Sequence, residues 1–191
     1  MKPMTRPGIA AVARLSGLVF ILIAGAILIP AGVALHVTPA ETDTPILVLP
    51  LAPGERFCLH YYHSVENTPI WEDHSMDKAG TIFIEEERYE KFGAGMGKMP
   101  GVGRMVQKGK YEAIVDMHYP VNMFVLRVGS PKVAHTLIWR GQQFNLSKRF
   151  AHQRMRFFGR PVKLYQALSY LFSAGRGGSW PESKQPHKEH R

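Results

Sequence analysis

The sequence predicts a mainly β protein: a single antiparallel β-sandwich or barrel-like domain behind one N-terminal transmembrane helix, with a short C-terminal amphipathic helix. Three observations lead to this fold class. An uninterrupted apolar run lies near the amino end, and short apolar stretches, many of them alternating with period two, fill the middle. A helical spacing of apolar residues appears near the carboxyl end. The 191 residues suffice for one core plus appendages.

The apolar run at the amino end predicts a membrane anchor. Residues 15–35 contain no ionisable side chain, and about 20 apolar residues cross a bilayer as a helix. Basic residues precede the run, whereas the first charged residues after it, Glu41 and Asp43, are acidic. The positive-inside rule therefore places residues 1–14 in the cytoplasm, the helix at 15–37 in the membrane and the rest of the chain on the exported side.

A cleaved signal peptide is the competing interpretation of this run. Small residues such as Ala31 and Ala34 lie near its end, as they do at cleavage sites. An apolar core of about 20 residues exceeds the 7–15 usual for a signal peptide, so a retained single-pass anchor is favoured. Cys58 is the only cysteine, which excludes a lipoprotein anchor at the end of the run, an intramolecular disulfide and a multi-cysteine zinc motif.

The middle of the chain, residues 46–147, predicts an antiparallel β domain joined to the anchor by a linker at 38–45. Nothing there alternates strands with long helices, which disfavours a parallel nucleotide-binding sheet. Arg140–Gly141 and Asp77–Thr81 have the composition of hairpin turns. The candidate strands are Ile46–Leu51, Phe57–Val65, Ile70–Met76, Thr81–Tyr89, Tyr111–His118, Met123–Val128, Val133–Trp139 and Gln142–Leu146.

A glycine-rich stretch, Phe92–Gly103, interrupts the strands. It does not match a P-loop, because Met99 follows Gly97 and Lys98 where Ser or Thr would hold magnesium. A loop that uses glycine for positive φ is favoured over a phosphate site. Its apolar content also suits packing against a membrane or a partner.

Residues 148–175 predict a basic segment containing an amphipathic helix. Within Arg160–Gly175, helical spacing groups five residues on one face: Val162, Tyr165, Leu168, Ser169 and Phe172. The helix is too short to cross a membrane. The basic residues just before the helix fit a helix that lies at the membrane interface. Short amphipathic helices more commonly dock on their own domain, so docking is favoured. The composition of residues 176–191 predicts a disordered tail.

The net charge of +9 belongs to the two ends of the chain. Residues 41–147 contain 11 Lys and Arg against 13 Asp and Glu, whereas residues 148–191 contain 10 against 2. A basic tail is usually solvated, with attraction to anionic lipid or nucleic acid as the less common role. We therefore expect no nucleic-acid partner.

The stretch HYYHSVENTPIWEDH, residues 60–74, contains the residues most suggestive of chemistry. His63 and Ser64 are adjacent, so on a strand they point to opposite faces and form no hydrolase pair. A metal site requires His63, Glu66, Glu72 and His74 to converge around the turn ENTP. A hydrogen-bonded hairpin is favoured, in which Ser64 and Asn67 bond the turn and a glutamate pairs with a histidine. We expect no catalytic residue, no metal and no cofactor.

The chain resembles a family of small bacterial membrane-anchored proteins of unknown function, typically encoded beside the fused permease of TAXI-type TRAP transporters. The resemblance rests on FCLHYYHSVENTPIWE at 57–72, RYEKFGAGM at 88–96, and the later LRVG and HTLIWRGQQFNL. It covers residues 45–147 and leaves the basic carboxyl segment outside. The signature positions that carry over are His63, Ser64, Val65, Glu66, Glu72, Gly93, Ala94, Gly95 and Met96.

This resemblance implies an exported β domain in the periplasm, tethered to the inner membrane by a single-pass helix and lying near a transporter of organic solutes. The expected function is that of a noncatalytic accessory protein that contacts the TRAP permease or its solute-binding protein. The alternative is a periplasmic domain that binds a small ligand or a metal through His63, Glu66 and Glu72.

Overall fold

The computed structural model describes Arg14, Gly25 and residues 29–90 and 101–174. The strands in these residues are β1 Pro30–Pro39, β2 Leu47–Leu51, β3 Phe57–Tyr62, β4 Pro69–Met76, β5 Ile82–Tyr89, β6 Arg104–Lys108, β7 Tyr111–Val115, β8 Tyr119–Asn122, β9 Phe124–Arg127, β10 Thr136–Trp139, β11 Gln142–Asn145 and β12 Arg154–Lys163. The helices are α1 Ser147–Phe150 and α2 Leu164–Ala174.

The strands form two antiparallel sheets that pack face to face. The small sheet has the order β2-β1-β12-β9, and the large sheet has the order β11-β10-β3-β4-β5-β7-β6 with β8 beside β5. One apolar core lies between them and takes residues from both, including Leu35 and Phe157 from the small sheet and Leu59 and Leu137 from the large one. The predicted mainly β, antiparallel architecture is confirmed.

Alternation and turn chemistry explain why the central strands were recognisable. In β3, Phe57 and Leu59 point into the core, while Cys58 is only partly covered on the opposite face. The β10–β11 turn holds Arg140 at φ 48° and Gly141 at φ 75°, as a two-residue hairpin with both central residues left-handed requires. Both predicted hairpin turns are present, since Met76 and Ile82 pair across the second.

The predicted transmembrane span 15–37 is wrong at its carboxyl end. Residues 30–37 belong to β1, which pairs with β2 on one side and β12 on the other. Val33 and Leu35 point into the core, and Ala34 on the opposite face is equally buried. A strand covered on both faces reads as a continuous apolar run, which is why it resembled a helix.

The remainder of the predicted anchor, 15–24 and 26–28, lies outside the described residues, as do residues 1–13. Among the residues that the structure describes, no helix has the length and apolar character needed to cross a membrane.

The β domain is also longer than the predicted 46–147. It extends from 30 to 163, because β1 and β12 are the two central strands of the small sheet. The first two residues of the predicted linker 38–45 belong to β1, which ends at Pro39. β12, Arg154–Lys163, lies within the predicted basic segment 148–175. Its four Lys or Arg residues and one proline hide the alternation that would have predicted a strand. β6 and β8 were likewise not predicted.

The predicted C-terminal helix is present as α2, but it begins at Leu164 and packs on the domain through a face that was not predicted. It packs on the outer side of the small sheet against β1, β2 and β12. Tyr170 makes an edge contact with His36 of β1 at 6.3 Å between ring centroids. Val162 is buried in β12 and is not part of the helix, whereas Tyr165, Leu168, Ser169 and Phe172 are exposed. The helix therefore docks on its own domain as expected, but through the face opposite to this stripe. The predicted tail, 176–191, lies outside the described residues.

Candidate functional site

The β3–β4 connection, residues 63–68, presents the HSVE signature at one end of the large sheet. Its ends are closed by a hydrogen bond from the His63 amide to the Thr68 carbonyl (2.8 Å). A second bond runs from the Asn67 amide to the His63 carbonyl (2.9 Å), with Asn67 in the left-handed region at φ 52°. Val65 stands at the tip with 81% of its surface exposed.

The His63 imidazole holds this loop together. The Glu66 amide donates to His63 Nδ1 at 3.1 Å, so the neutral ring carries its proton on Nε2. The predicted hairpin is thus confirmed, but the ring of His63 supplies its polar bond in place of the Ser64 and Asn67 side chains. Ser64, Val65 and Glu66 all remain exposed around it.

Glu72 points away from the loop, towards the inner face of the sheet. It accepts a hydrogen bond from the Tyr61 hydroxyl at 2.7 Å and lies opposite Glu87 of β5. The Tyr89 hydroxyl donates to Glu87 in the same way. Burial raises the pKa of Glu72 to about 7, with the Tyr61 bond acting against the rise and the Glu87 charge adding to it.

His74 lies two residues further along β4 and is buried in the core. Its ring stacks between Phe57 and Phe124, with centroids 5.1 and 5.5 Å away. Nδ1 donates to the Glu72 carbonyl at 3.0 Å, since a carbonyl can only accept. Burial lowers the pKa of His74 to about 4.

The four residues considered for a metal site therefore do not act together. His63 serves the loop, Glu66 is exposed, Glu72 binds a tyrosine and His74 is a core residue. Within residues 29–90 and 101–174, no three His, Cys, Asp or Glu side chains are grouped to hold a metal ion.

The glycine part of the signature, Gly93–Met96, lies outside the described residues, but the strand that leads to it is described. β5 ends at Tyr89, which pairs with Ile70 at the start of β4. The chain thus enters the glycine segment at the same end of the sheet as the HSVE loop.

A cleft at the opposite end of β4 was not predicted. It has a volume of about 340 Å³ and is lined by Gly54, Arg56, Ser75, Met76, Asp77, Phe83, Glu85 and His118. Glu85 is the extra residue of a β-bulge opposite Asp73 and His74. Bulges commonly re-aim a side chain next to a functional site.

Glu85 organises this cleft. Its Oε1 accepts from Ser75 Oγ at 2.5 Å and contacts His118 Nδ1 at 2.9 Å. These two bonds, together with the charges of His118 and Arg56, outweigh burial and lower the pKa of Glu85. In a serine hydrolase the histidine lies between the serine and the carboxylate, whereas here the carboxylate lies between them. The arrangement suits polar recognition better than acyl transfer.

The comparisons with known proteins bear on the hairpin and the cleft together. Residues 57–146 match the model of a domain of unknown function, DUF1850. No curated protein and no solved structure matches the chain.

The DUF1850 segment runs from the first residue of β3 to just past β11, so it contains the whole large sheet and β9. It also contains the HSVE loop, Glu72, Glu85 and His118. Arg56 lies one residue before it, and β1, β2, β12 and α2 lie outside. One sequence signal for the cleft existed: three consecutive glutamates, 85–87, cannot alternate cleanly across a strand.

Proposed function

We propose that this protein is a noncatalytic, membrane-anchored accessory protein of TAXI-type TRAP solute uptake. In this proposal its β domain lies in the periplasm and contacts the permease or its solute-binding protein through the HSVE end of the large sheet. The observation that carries the proposal is the exposed Val65 on a short loop closed by its own hydrogen bonds. The resemblance described above supports the choice of partner.

A preorganised loop is suited to protein recognition because little conformational entropy is lost on binding. The bonds of the His63 backbone and ring already fix the loop. Tyr62, at the end of β3, and Val65, at the loop tip, add exposed apolar surface three residues apart, and the chain enters the glycine segment at the same end of the sheet. Exposed apolar side chains on a rigid support are typical of interaction sites.

Site-specific crosslinking in native membranes tests this proposal. A photoreactive amino acid at position 65 is expected to crosslink to a transporter subunit. The matched control is position 78, which is exposed on the β4–β5 turn at the other end of the same strand. Equal yields from both positions, or no transporter subunit among the products from position 65, would count against the docking surface.

The anchor in this proposal must begin earlier than residue 15. With Pro30 in β1, the run without ionisable side chains is Leu15–Ile29, about 22 Å as a helix and short of a hydrocarbon core of about 30 Å. An anchor of about 20 residues that ends before β1 has to include Arg14. It places Arg14 near the cytoplasmic end, where a long basic side chain reaches the headgroups.

The mass of the mature chain in membranes tests the anchor. Cleavage after Ala31 or Ala34 would remove part of a central strand, so the fold itself disfavours those sites. Retention of the full mass is expected. A mature chain that starts inside the apolar run, for example after the small residues Ala24, Gly25 and Ala26, would refute a membrane-retained helix.

A second candidate function, binding of a small solute, is favoured by the cleft around Glu85. Arg56 offers an exposed cation there, while Glu85 and Asp77 offer acceptors. This combination suits a solute that carries a carboxylate together with a hydroxyl or amino group.

Thermal unfolding with a panel of hydroxy and amino acids tests this second function. Stabilisation by a ligand is expected, and Arg56→Gln should abolish that stabilisation, while Lys132→Gln, a distant exposed control, should not. A ligand at 100 times its Kd adds about 2.7 kcal/mol, so an unchanged melting temperature across the panel would exclude this function for these solutes.

A further inference from the structure

The outward face of α2 is apolar although the helix is already docked through its other side. Tyr165, Leu168 and Phe172 follow each other at spacings of three and four residues and are 47%, 46% and 70% exposed. Leu171, 40% exposed, widens the stripe. A helix that is apolar on all sides is normally covered on all sides. One side here is covered by the small sheet, whereas no described residue covers the other, on which Ser169 is an exposed polar residue.

The position of α2 indicates what covers this face. The Leu164 amide, at the start of the helix, donates to the Ile29 carbonyl at 2.9 Å. Ile29 is itself 55% exposed and is the last residue before β1 in the ionisable-free run that extends from Leu15 to Leu35. The bare face of α2 therefore begins beside the point where the most apolar segment of the chain joins the β domain.

The charge distribution favours the same surface. Between Asp116 and Glu182 the sequence contains ten Lys and Arg and no Asp or Glu. Arg160 and Lys163, immediately before α2, are both exposed. Arg160 pairs with Ala34 on the outer side of the small sheet, where α2 lies. Apolar residues flanked by basic ones are the pattern of a helix that lies in the headgroup region of an anionic bilayer.

We propose that the outward face of α2, formed by Tyr165, Leu168, Leu171 and Phe172, lies in the interface of an anionic phospholipid bilayer. The domain then has two adjacent membrane attachments, the amino-terminal segment and α2, and this second contact fixes the orientation of the β domain relative to the membrane. The inference rests on the proposed membrane location but needs no contact with a transporter.

Spin labelling of the full chain in lipid nanodiscs that contain phosphatidylglycerol tests the inference. One label is placed at Phe172→Cys and a control label at Lys78→Cys, both with Cys58→Ala. The label at 172 is expected to be reached by dissolved oxygen but shielded from a water-soluble nickel chelate. The label at 78 is expected to be open to the chelate.

Two results would overturn the inference. If the chelate reaches position 172 as readily as position 78, the face lies in water. If position 172 is shielded from both reagents, protein covers it, either residues 15–28 of the same chain or a second copy. Neither result depends on a transporter subunit, because the nanodisc contains none, so a negative crosslinking result at position 65 is separable from it.

Substitution of the face provides a second, independent readout. Leu168→Glu with Phe172→Glu changes only exposed side chains, so thermal unfolding in detergent is expected to remain that of the parent. In nanodiscs, a label at Tyr165→Cys should be immersed in the parent and should become accessible to the chelate in the double variant. An equally immersed label in both proteins would overturn the role of these side chains.

Discussion

Replacement of His74 by phenylalanine should change the pH dependence of stability in a calculable way. The ring is 2% exposed and is stacked between two phenylalanines, so phenylalanine fills the same space. Burial lowers the pKa of His74 from 6.5 to about 4. Below pH 6.5 the unfolded chain gains a proton that the folded protein does not accept. The free energy of unfolding is therefore highest above pH 6.5 and falls as the pH falls towards 4.

The magnitude follows from the interval between the two pKa values. Each pH unit within it costs the folded protein about 1.4 kcal/mol, so acidification from pH 7 to pH 5 removes about 2 kcal/mol through His74. His135, whose pKa burial also lowers to about 4, acts in the same direction. Glu72 acts in the opposite direction, because protonation of a carboxyl with a raised pKa favours the folded state. The comparison of variant with parent isolates the contribution of His74.

Urea unfolding of the detergent-solubilised chain at pH 5, 6 and 7, followed by tryptophan fluorescence, measures this effect. At pH 7, His74→Phe should be less stable by about 1 kcal/mol, because the bond to the Glu72 carbonyl is lost. From pH 7 to pH 5 the variant should lose about 2 kcal/mol less than the parent, so that the two curves cross.

The control is His152→Asn, at an exposed left-handed position that asparagine tolerates. Its curve should run parallel to that of the parent. If His74→Phe also ran parallel to the parent, burial of a neutral histidine would not be the cause of the acid sensitivity, and the reasoning would be refuted.

Three further substitutions test the packing and the electrostatics of the domain. Gly159→Ala places a methyl group 2.3 Å from a backbone oxygen of the β4–β5 turn and should cost about 3 kcal/mol, whereas Gly109→Ala, in open space at φ +63°, should cost about 1 kcal/mol. Glu72→Gln should stabilise the protein by about 3 kcal/mol at pH 8 and have little effect at pH 4.5, since the raised pKa of the carboxyl penalises its charged form in the folded state as the pH rises from 4.5 to 7. Glu55→Gln should cost about 1 kcal/mol, because it weakens a two-bond contact with Arg140 at 2.7 and 2.8 Å.

Urea unfolding measures all three, and each has an outcome that contradicts it. Equal losses for the two glycine variants would show that the sheets do not approach as closely as the structure has them. A Glu72→Gln effect that is independent of pH would exclude a raised carboxyl pKa. A Glu55→Gln effect that grows at high salt would contradict an electrostatic contact, because salt screens such contacts.

Strands of the large sheet such as β3 were predictable because one face lies in the core and the other is partly open to solvent, whereas β6 and β8, which bury no side chain, were not predicted. Phe57 and Leu59 alternate with Cys58 and His60, and a left-handed pair, Arg140–Gly141, marks the hairpin that follows β10. The same local rule cannot predict a cleft. Ser75, Glu85 and His118 come from β4, from a bulge in β5 and from the segment after β7, and only the sheet order brings them together.

The signature loop shows a different limit of sequence reasoning. The turn itself was predictable from its Asn and Pro residues. Which polar group closes it was not, because His63, Ser64 and Asn67 are all capable of bonding the turn backbone. The backbone conformation selects the His63 ring. Glu72 lies two residues after the buried Ile70, so its side chain is on the same inner face of the sheet. There it accepts a hydrogen bond from the Tyr61 hydroxyl instead of pairing with a histidine.

The error at the amino end and the error in α2 have one physical cause. Hydropathy alone identifies surfaces that avoid water, but it does not identify what covers them. β1 is buried on both faces, because the core covers Val33 and Leu35 on one and α2 packs over Ala34 and His36 on the other, so its apolar first half continues the preceding apolar run. α2 has apolar residues on both faces, yet the described fold covers only one of them. In β1 the described structure accounts for all of the apolar surface. In α2 it leaves the face of Tyr165, Leu168 and Phe172 uncovered, on a helix whose first residue bonds Ile29, and a bilayer is the apolar phase that both the preceding apolar run and the basic flank favour.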